Sequence, residues 1–285
     1  VSHNIANKST EGFSRQRVDV VTATPVNEGR LQLGMGNRAA QVTRINNPYL
    51  EKQIQKEQGQ LGMMDAKAEA MSRVEQVFNE QANKGLNQYM TDFYNAFREL
   101  ANNPESIATR SMVKETADAM AGDFKRVQTQ LTEVQKDIDE KVREQVEEVN
   151  KMIEEVASLN EKVTQTELQG NPANDQRDRR ELLLKKLNER IDIHYVEGTN
   201  GMVTVSTAGN GILVSGYDHY KLDIAKNPDT DRVEVYYKNT EASAPYNIPK
   251  RIKGGSLAGS LEVRDKVIEN LKDNINDLAY NVATE

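Results

Sequence analysis

VKETADAMAGDFKRVQTQLTEVQKDI, residues 113–138, decides the fold. Val113, Ala117, Met120, Phe124, Val127, Leu131, Val134 and Ile138 recur at spacings that alternate four and three. That is the heptad period of a helix that buries one seam against partner helices. Val142 and Val146 follow at four each. This is a stutter, which locally unwinds a left-handed supercoil. The seam resumes with Val149, Ile153, Val156 and Val163, and no Gly or Pro stands between Gly122 and Gly170. One helix over 113–168 is therefore predicted, about 84 Å long at a rise of about 1.5 Å per residue.

Toward the N-terminus, Ile54, Leu61, Met64, Ala68, Met71 and Phe78 form a second heptad stripe, broken by Glu57 and Glu75. This predicts a helix near 49–80 whose stripe faces the bundle. Leu86, Met90, Phe93, Phe97 and Leu100 predict another helix. Asn103 and Pro104 then read as N-cap and first helical position of the long one. Residues 1–48 read as an extended segment packing on the bundle. It has two short strands, Arg17 to Ala23 and Ala39 to Ile45, with turns at Gly29, Gly34 and Gly36. Two strands alone are marginal, so the segment must lean on something.

Toward the C-terminus, Gly170, Asn171 and Pro172 stop the rod, and a short helix runs from about Asp175 to Arg190. Its charges alternate in sign (Asp175, Arg177, Asp178, Arg179, Arg180, Glu181), which predicts a self-neutralised surface rather than a phosphate site. From Ile191 to Ile252 short alternating β-branched runs are punctuated by Gly, Asn, Asp and Pro, the pattern of a small all-β unit. Helix returns after Gly254 and Gly255: Leu257, Leu261, Ile268, Leu271, Ile275, Leu278 and Val282 keep the heptad, with Arg264 in one seam position. The predicted class is α+β and multidomain: an elongated α-helical bundle with an inserted small all-β domain. The domains are 1–48, a discontinuous bundle of 49–190 and 254–285, and a β insertion at 191–253.

Composition narrows the chemistry. The 285 residues include 44 acidic and 37 basic ones, a net charge of −7 that disfavours general nucleic-acid or anionic-membrane binding. Hydrophobic residues reach only 37%, which suits a thin body better than a large globular core. There is no Cys, so disulfides, thiolate metal sites and Cys nucleophiles are excluded. His3, His194 and His219 are far apart in sequence, and no hydrolase, nucleotide-binding or zinc-protease motif occurs. Asn227-Pro-Asp-Thr-Asp-Arg232 lacks the Gly and Glu of a calcium loop and reads as a polar turn. No enzyme activity, cofactor or metal is expected. The twelve charges between Lys136 and Glu155 read as the solvated face of the rod, with Asp139–Arg143 and Glu147–Lys151 as favourable i,i+4 pairs. No run of about 18 apolar residues is present to span a membrane.

The sharpest local signal opens the chain: Asn4, Ile5, Ala6, Asn7, Thr10, Gly12, Phe13, Ser14, Arg15 and Gln16. Asn7 can take the left-handed position that ends a helix. Ser9 or Thr10 can bond the turning backbone. Gly12 permits positive φ beside the apolar Phe13.

Asn4-Ile5-Ala6-Asn7, Thr10, Gly12 and Phe13 resemble the opening motif of bacterial flagellar axial proteins. With Ser14-Arg15-Gln16 they resemble the hook-associated protein 1 family, the first hook–filament junction proteins. Phe93 to Ala101, Asn103-Pro104 and Arg110 are similar to that family's linker region. So are Asp175 to Asp178 with Leu182 and Leu183 before the β unit, and Gly255 to Gly259, Arg264 and the Leu271 to Ala279 helix after it. The resemblance implies a non-enzymatic structural subunit that joins hook to filament by subunit packing and is required for filament assembly. It implies a core fragment lacking both terminal helices of the family. It also implies an extracellular flagellar location reached by export without a cleaved signal peptide. Implied partners are other copies in a ring, the hook protein, the second hook–filament junction protein, and an export chaperone binding the absent C-terminal region. Another axial subunit, from the hook or distal rod, is the alternative.

Overall fold

The computed structural model describes residues 1–79, 84–207, 211–237, 246–247 and 252–284. Its main element is a single helix, α4, Ile107–Leu168, of 62 residues. In order before it come α1 (Ser2–Ala6), strands β1 (Gln16–Thr22), β2 (Val26–Glu28), β3 (Leu31–Leu33) and β4 (Asn37–Arg44), then α2 (Pro48–Val77) and α3 (Leu86–Asn102). After it come α5 (Asn174–Arg190), strands β5 (Ile193–Glu197), β6 (Val203–Thr207), β7 (Ile212–Ser215), β8 (Asp218–His219), β9 (Leu222–Lys226), β10 (Val233–Tyr237) and β11 (Tyr246–Asn247), and finally α6 (Gly255–Glu262) and α7 (Ile268–Thr284). Long helices thus carry several small antiparallel sheets, the class expected from the patterning.

From Val127 onward the seam of α4 is buried where the heptad put it, with Leu131, Val142, Val149, Ile153, Val156 and Val163 all 0% exposed, whereas Val113, Ala117 and Phe124 are only half-buried. The N-terminal end departs from expectation. Asn103 is the C-cap of α3 rather than the N-cap of α4. The side chains of Thr109 and Arg110 donate to the carbonyls of Asn103 and Pro104. These bonds hold a turn there, so α4 begins at Ile107, after Ser106.

The stripe on α2 is a second correction. Ile54, Leu61, Met64 and Phe78 are exposed, Leu61 to 59%. The buried side of α2 carries Gln55, Gly59, Gly62, Ala66, Ala70 and Val74. At Gly59 and Gly62 the reason is close backbone approach: a Cβ at Gly62 would sit 2.3 Å from the Glu189 carbonyl oxygen, and one at Gly59 2.7 Å from the Asn188 amide nitrogen. Only residues without a side chain let α2 and α5 approach so closely.

Contacts divide the chain into two compact units, one of residues 1–63, 145–225 and 234–256, the other of 64–144, 226–233 and 257–285. In the first unit, β1 pairs antiparallel with β4 from Gln16↔Arg44 to Thr22↔Asn37, with a bulge between Asp19 and Val20. The pair β2–β3, expected only as turns, continues that ribbon, with Gly29 at φ 63° and Gly36 at φ 75°. A four-stranded sheet runs in the order β5-β6-β7-β8, and a second sheet in the order β11-β10-β9. Asn160 in α4, fully buried, donates to the Val203 and Gly216 carbonyls at 2.8 Å and accepts from the Val203 amide at 3.0 Å. Asn150 clamps the Leu222 peptide the same way, at 2.9 and 2.8 Å.

In the second unit a π-helical turn, Val263–Val267, joins α6 to α7. Arg264 within it is 2% exposed and donates to Asp139 at 2.5 Å and to the Val233 carbonyl at 2.6 Å. Asp139 therefore pairs with this buried arginine rather than with Arg143. Much of the charged run on α4 is likewise used in tertiary contacts: Lys141 pairs with Glu69, Glu148 with Arg190, Glu154 with Lys221 and Glu155 with Arg179. Most of this run, including Glu148 and Glu154, is nonetheless exposed, so the solvated face expected of it holds except at Asp139 and its neighbours in these pairs. No described helix is long and apolar enough to cross a membrane.

Candidate assembly site

The opening motif folds into a cap that lies on α5. Both polar atoms of the Asn4 side chain engage one residue: Nδ2 donates to the Gln16 carbonyl at 2.8 Å, and Oδ1 accepts from the Gln16 amide at 3.0 Å. This closes the loop between two residues twelve apart in sequence. Inside it α1 ends at Asn7 with φ −100°, so Asn7 does not take the left-handed position expected of it. Its amide and its side chain both donate back to the His3 carbonyl at 3.1 Å, which ends the helix without positive φ. The Thr10 hydroxyl donates to the Asn7 side chain at 3.2 Å rather than to backbone. Gly12 does take positive φ, 77°, and a Cβ there would meet Leu182 Cβ at 2.9 Å. The Phe13 ring stands edge-on to His3 at 5.4 Å.

Three carboxylates of α5, one turn apart, receive this cap. Asp178 accepts the Ser14 amide at 2.9 Å and Arg44 Nη1 at 2.7 Å. Asp175 accepts Gln16 Nε2 at 2.9 Å and lies 3.3 Å from His3 Nε2. Glu181 accepts both terminal nitrogens of Arg44, at 3.0 and 3.2 Å. Asn174 adds a bond to the Val42 carbonyl at 2.9 Å. Arg44 and Asp178 are nearly buried, their side chains 11% and 6% exposed. Burial alone would lower the Arg44 pKa, but the Asp178 and Glu181 carboxylates outweigh it and hold the guanidinium charged.

The cations of α5 form a separate row. Arg180, 2% exposed, donates to the Asn160 side chain at 3.0 Å, the Gly201 carbonyl at 2.7 Å and Glu197 at 2.9 Å. Arg177 grips Glu167 at 2.6 and 3.0 Å and also pairs with Glu197. The hydrogen bond from Arg177 is the foremost cause holding the Glu167 carboxyl below its usual value. The run Asp175–Glu181 is thus not self-neutralised. Its anions hold the N-terminal segment and its cations hold α4 and the β5 sheet. Strict separation of sign by helical row was the available signal, since Asp175, Asp178 and Glu181 recur every three residues.

The site unites Asn4, Asn7, Thr10, Gly12, Phe13, Ser14 and Gln16. It leaves Ile5, 63% exposed, and the exposed Ala6 and Arg15 pointing away. These groups are acceptors and donors consumed by one another. Among the described residues no group of three or more His, Asp or Glu could hold a metal ion.

A family model described as the flagellar hook-associated protein FlgK helical domain matches residues 71–285. The chain belongs to the FlgK family. Flagellar hook-associated protein 1 of Bacillus subtilis (strain 168) is 29% identical over 275 residues, covering 94% of this chain and 52% of that protein. Its counterpart from Escherichia coli (strain K12) is 23% identical over 281 residues, covering 98% and 51%. The chain therefore spans about half the length of the FlgK relatives it matches. In fold it resembles the flagellar hook junction protein FlgK from Burkholderia pseudomallei, with a TM-score of 0.64 at 22% identity, over 74% of this chain and 38% of that one.

Proposed function

We propose that this chain is part of a structural, non-enzymatic axial subunit of the bacterial flagellum that joins hook to filament and is required for filament assembly. Membership of the FlgK family carries this reading, and the fold supports it. A subunit that works by packing needs rigid helices and a fixed N-terminal segment, and the cap on α5 supplies the second. The residues of that cap, Asn4 to Gln16, are the proposed assembly motif. The proposed functional parts are an N-terminal segment (1–48), a helical body (49–190 and 254–285) and a β insertion (191–253). Proposed partners are other copies in a ring, the hook protein, the second junction protein and an export chaperone. The proposed location is outside the cell at the hook–filament junction, reached by export without a cleaved signal.

The test is deletion of the gene. Cells are expected to keep hooks, lack filaments and release monomeric flagellin into the medium. Normal swimming of the mutant would defeat the reading.

A further inference from the structure

The densest group of exposed apolar side chains lies on the ribbon Gln16–Arg44. Val18, Val20, Val26, Leu31, Leu33 and Met35 are between 48% and 71% exposed. Val26 faces Leu33 across the β2–β3 pair, and strand alternation brings Leu31 to the same face. A two-stranded ribbon is marginal in water, and exposed apolar strand edges invite another chain. This ribbon is nevertheless held in place at its base, because Arg44 and Val42 are tied to α5.

Its charge indicates what covers it. Residues 1–48 hold six basic and three acidic residues, a balance of +3, which leaves −10 on the rest of a chain whose net charge is −7. Arg44 is taken up by Asp178 and Glu181, and Arg17 by Asp19. Arg15, Arg30 and Arg38 are exposed and have no ion-pair partner among the described residues. An apolar face flanked by unpaired arginines fits an acidic surface, and the body of this same chain is acidic.

We propose that the ribbon is the surface by which one copy of the chain docks on the acidic helical body of the next. This rests on the reading above, that the chain works in an assembly. The two patches differ, so the contact is heterologous and repeats around a ring or along a helix instead of closing as a two-fold dimer. The apolar tip excludes water at the contact, and Arg30 and Arg38 set its orientation.

The experiment places a photo-crosslinking residue in the full-length protein, Leu31→p-benzoylphenylalanine, in cells that assemble flagella. Purified flagella are irradiated, and adducts are sized and sequenced by mass spectrometry. The expected product is an adduct of two copies, with its acceptor peptide in an acidic helix. Arg30→Glu with Arg38→Glu should cut its yield about tenfold, the equivalent of about 1.4 kcal/mol. An adduct only to a different axial protein, or none although the protein is in the flagella, overturns the docking proposal and leaves the functional reading standing. A yield unchanged by the charge reversals also overturns it. Absence of the protein from purified flagella overturns the functional reading, and the docking proposal with it.

Discussion

Arg44 donates to Asp178 at 2.7 Å across 134 residues of chain, with both side chains nearly buried. The same carboxylate accepts the Ser14 amide. One residue of α5 therefore fixes both the opening motif and the returning strand of the ribbon. Removing one member of a buried pair leaves the other charge uncompensated, at a cost of about 3–5 kcal/mol. Asp178→Ala should release residues 1–45 while the long helices persist. Limited trypsin digestion should cut at Arg17, Arg30 and Arg38 at least about tenfold faster, with helical circular dichroism little changed. Equal digestion of variant and parent would contradict the clamp.

Gly12 and Gly62 should resist substitution for different reasons. At Gly12, Ala would meet both a φ of 77° and Leu182 Cβ at 2.9 Å, a strain of about 1–3 kcal/mol. At Gly62 the obstacle is the Glu189 carbonyl at 2.3 Å, which is backbone and cannot swing aside. Gly62→Ala is expected to lower Tm clearly, whereas Gly122→Ala, with open space around it, should raise Tm slightly. Identical Tm values for the Gly62 and Gly122 variants would refute the α2–α5 contact.

The buried Arg264 makes a double-mutant cycle informative. Arg264→Met strands Asp139 and the Val233 carbonyl, and should cost about 3–5 kcal/mol in urea melts. Arg264→Met combined with Asp139→Leu should recover a large part of that loss, because both charges then leave the interior together. Strict additivity of the two single variants would show that the residues do not interact.

Leu131 and Leu61 are both heptad leucines, but only one is inside. Leu131 is 0% exposed and Leu61 is 59% exposed. Leu131→Asp should destabilise by about 4 kcal/mol or more, and Leu61→Asp by about 0.5 kcal/mol or less. Comparable losses in thermal melts would show that the α2 stripe is buried after all.

Acid should weaken both units. Glu167 is held below its usual 4.5 chiefly by the hydrogen bond from Arg177, and Glu69 chiefly by that from Lys141. A carboxylate whose folded value lies below its unfolded one adds stability above the unfolded value, and that stability is lost as pH falls through the folded value. Tm should thus be nearly flat from pH 7 to about 5 and should fall below about 4.5. Glu167→Gln should remove part of that acid sensitivity. A Tm that rises on acidification to pH 4 would oppose this assignment.

The long helix was legible because its constraint is local: a heptad repeats within one helix, and burial followed it from Val127 to Val163. Even the place where the β sheet attaches left a trace. Asn160 stands at the seam position between Val156 and Val163, and its side chain satisfies four hydrogen bonds there. On α2 the same logic misled. Two stripes exist on that helix, one of large apolar residues and one of Gly and Ala, and the heptad favoured the larger. At Gly59 and Gly62 the buried stripe is set by how closely the α5 backbone approaches, a distance that no spacing within α2 encodes. The charges of α5 misled similarly, because neighbours of opposite sign in sequence point to different partners in space.

By itself the sequence determined the helices, the seam of α4, the turn glycines and the absence of cysteine chemistry, since each depends on residues within a few turns of one another. Only the tertiary structure decided which face of α2 is inside, that Asp139 pairs with Arg264, and that Asp175, Asp178 and Glu181 anchor a segment more than 130 residues away. Those contacts are hydrogen bonds and ion pairs between distant residues. Their partners are chosen by the geometry of packing, and Asp, Arg or Asn offers the same donors and acceptors to every candidate until the backbone brings one within reach.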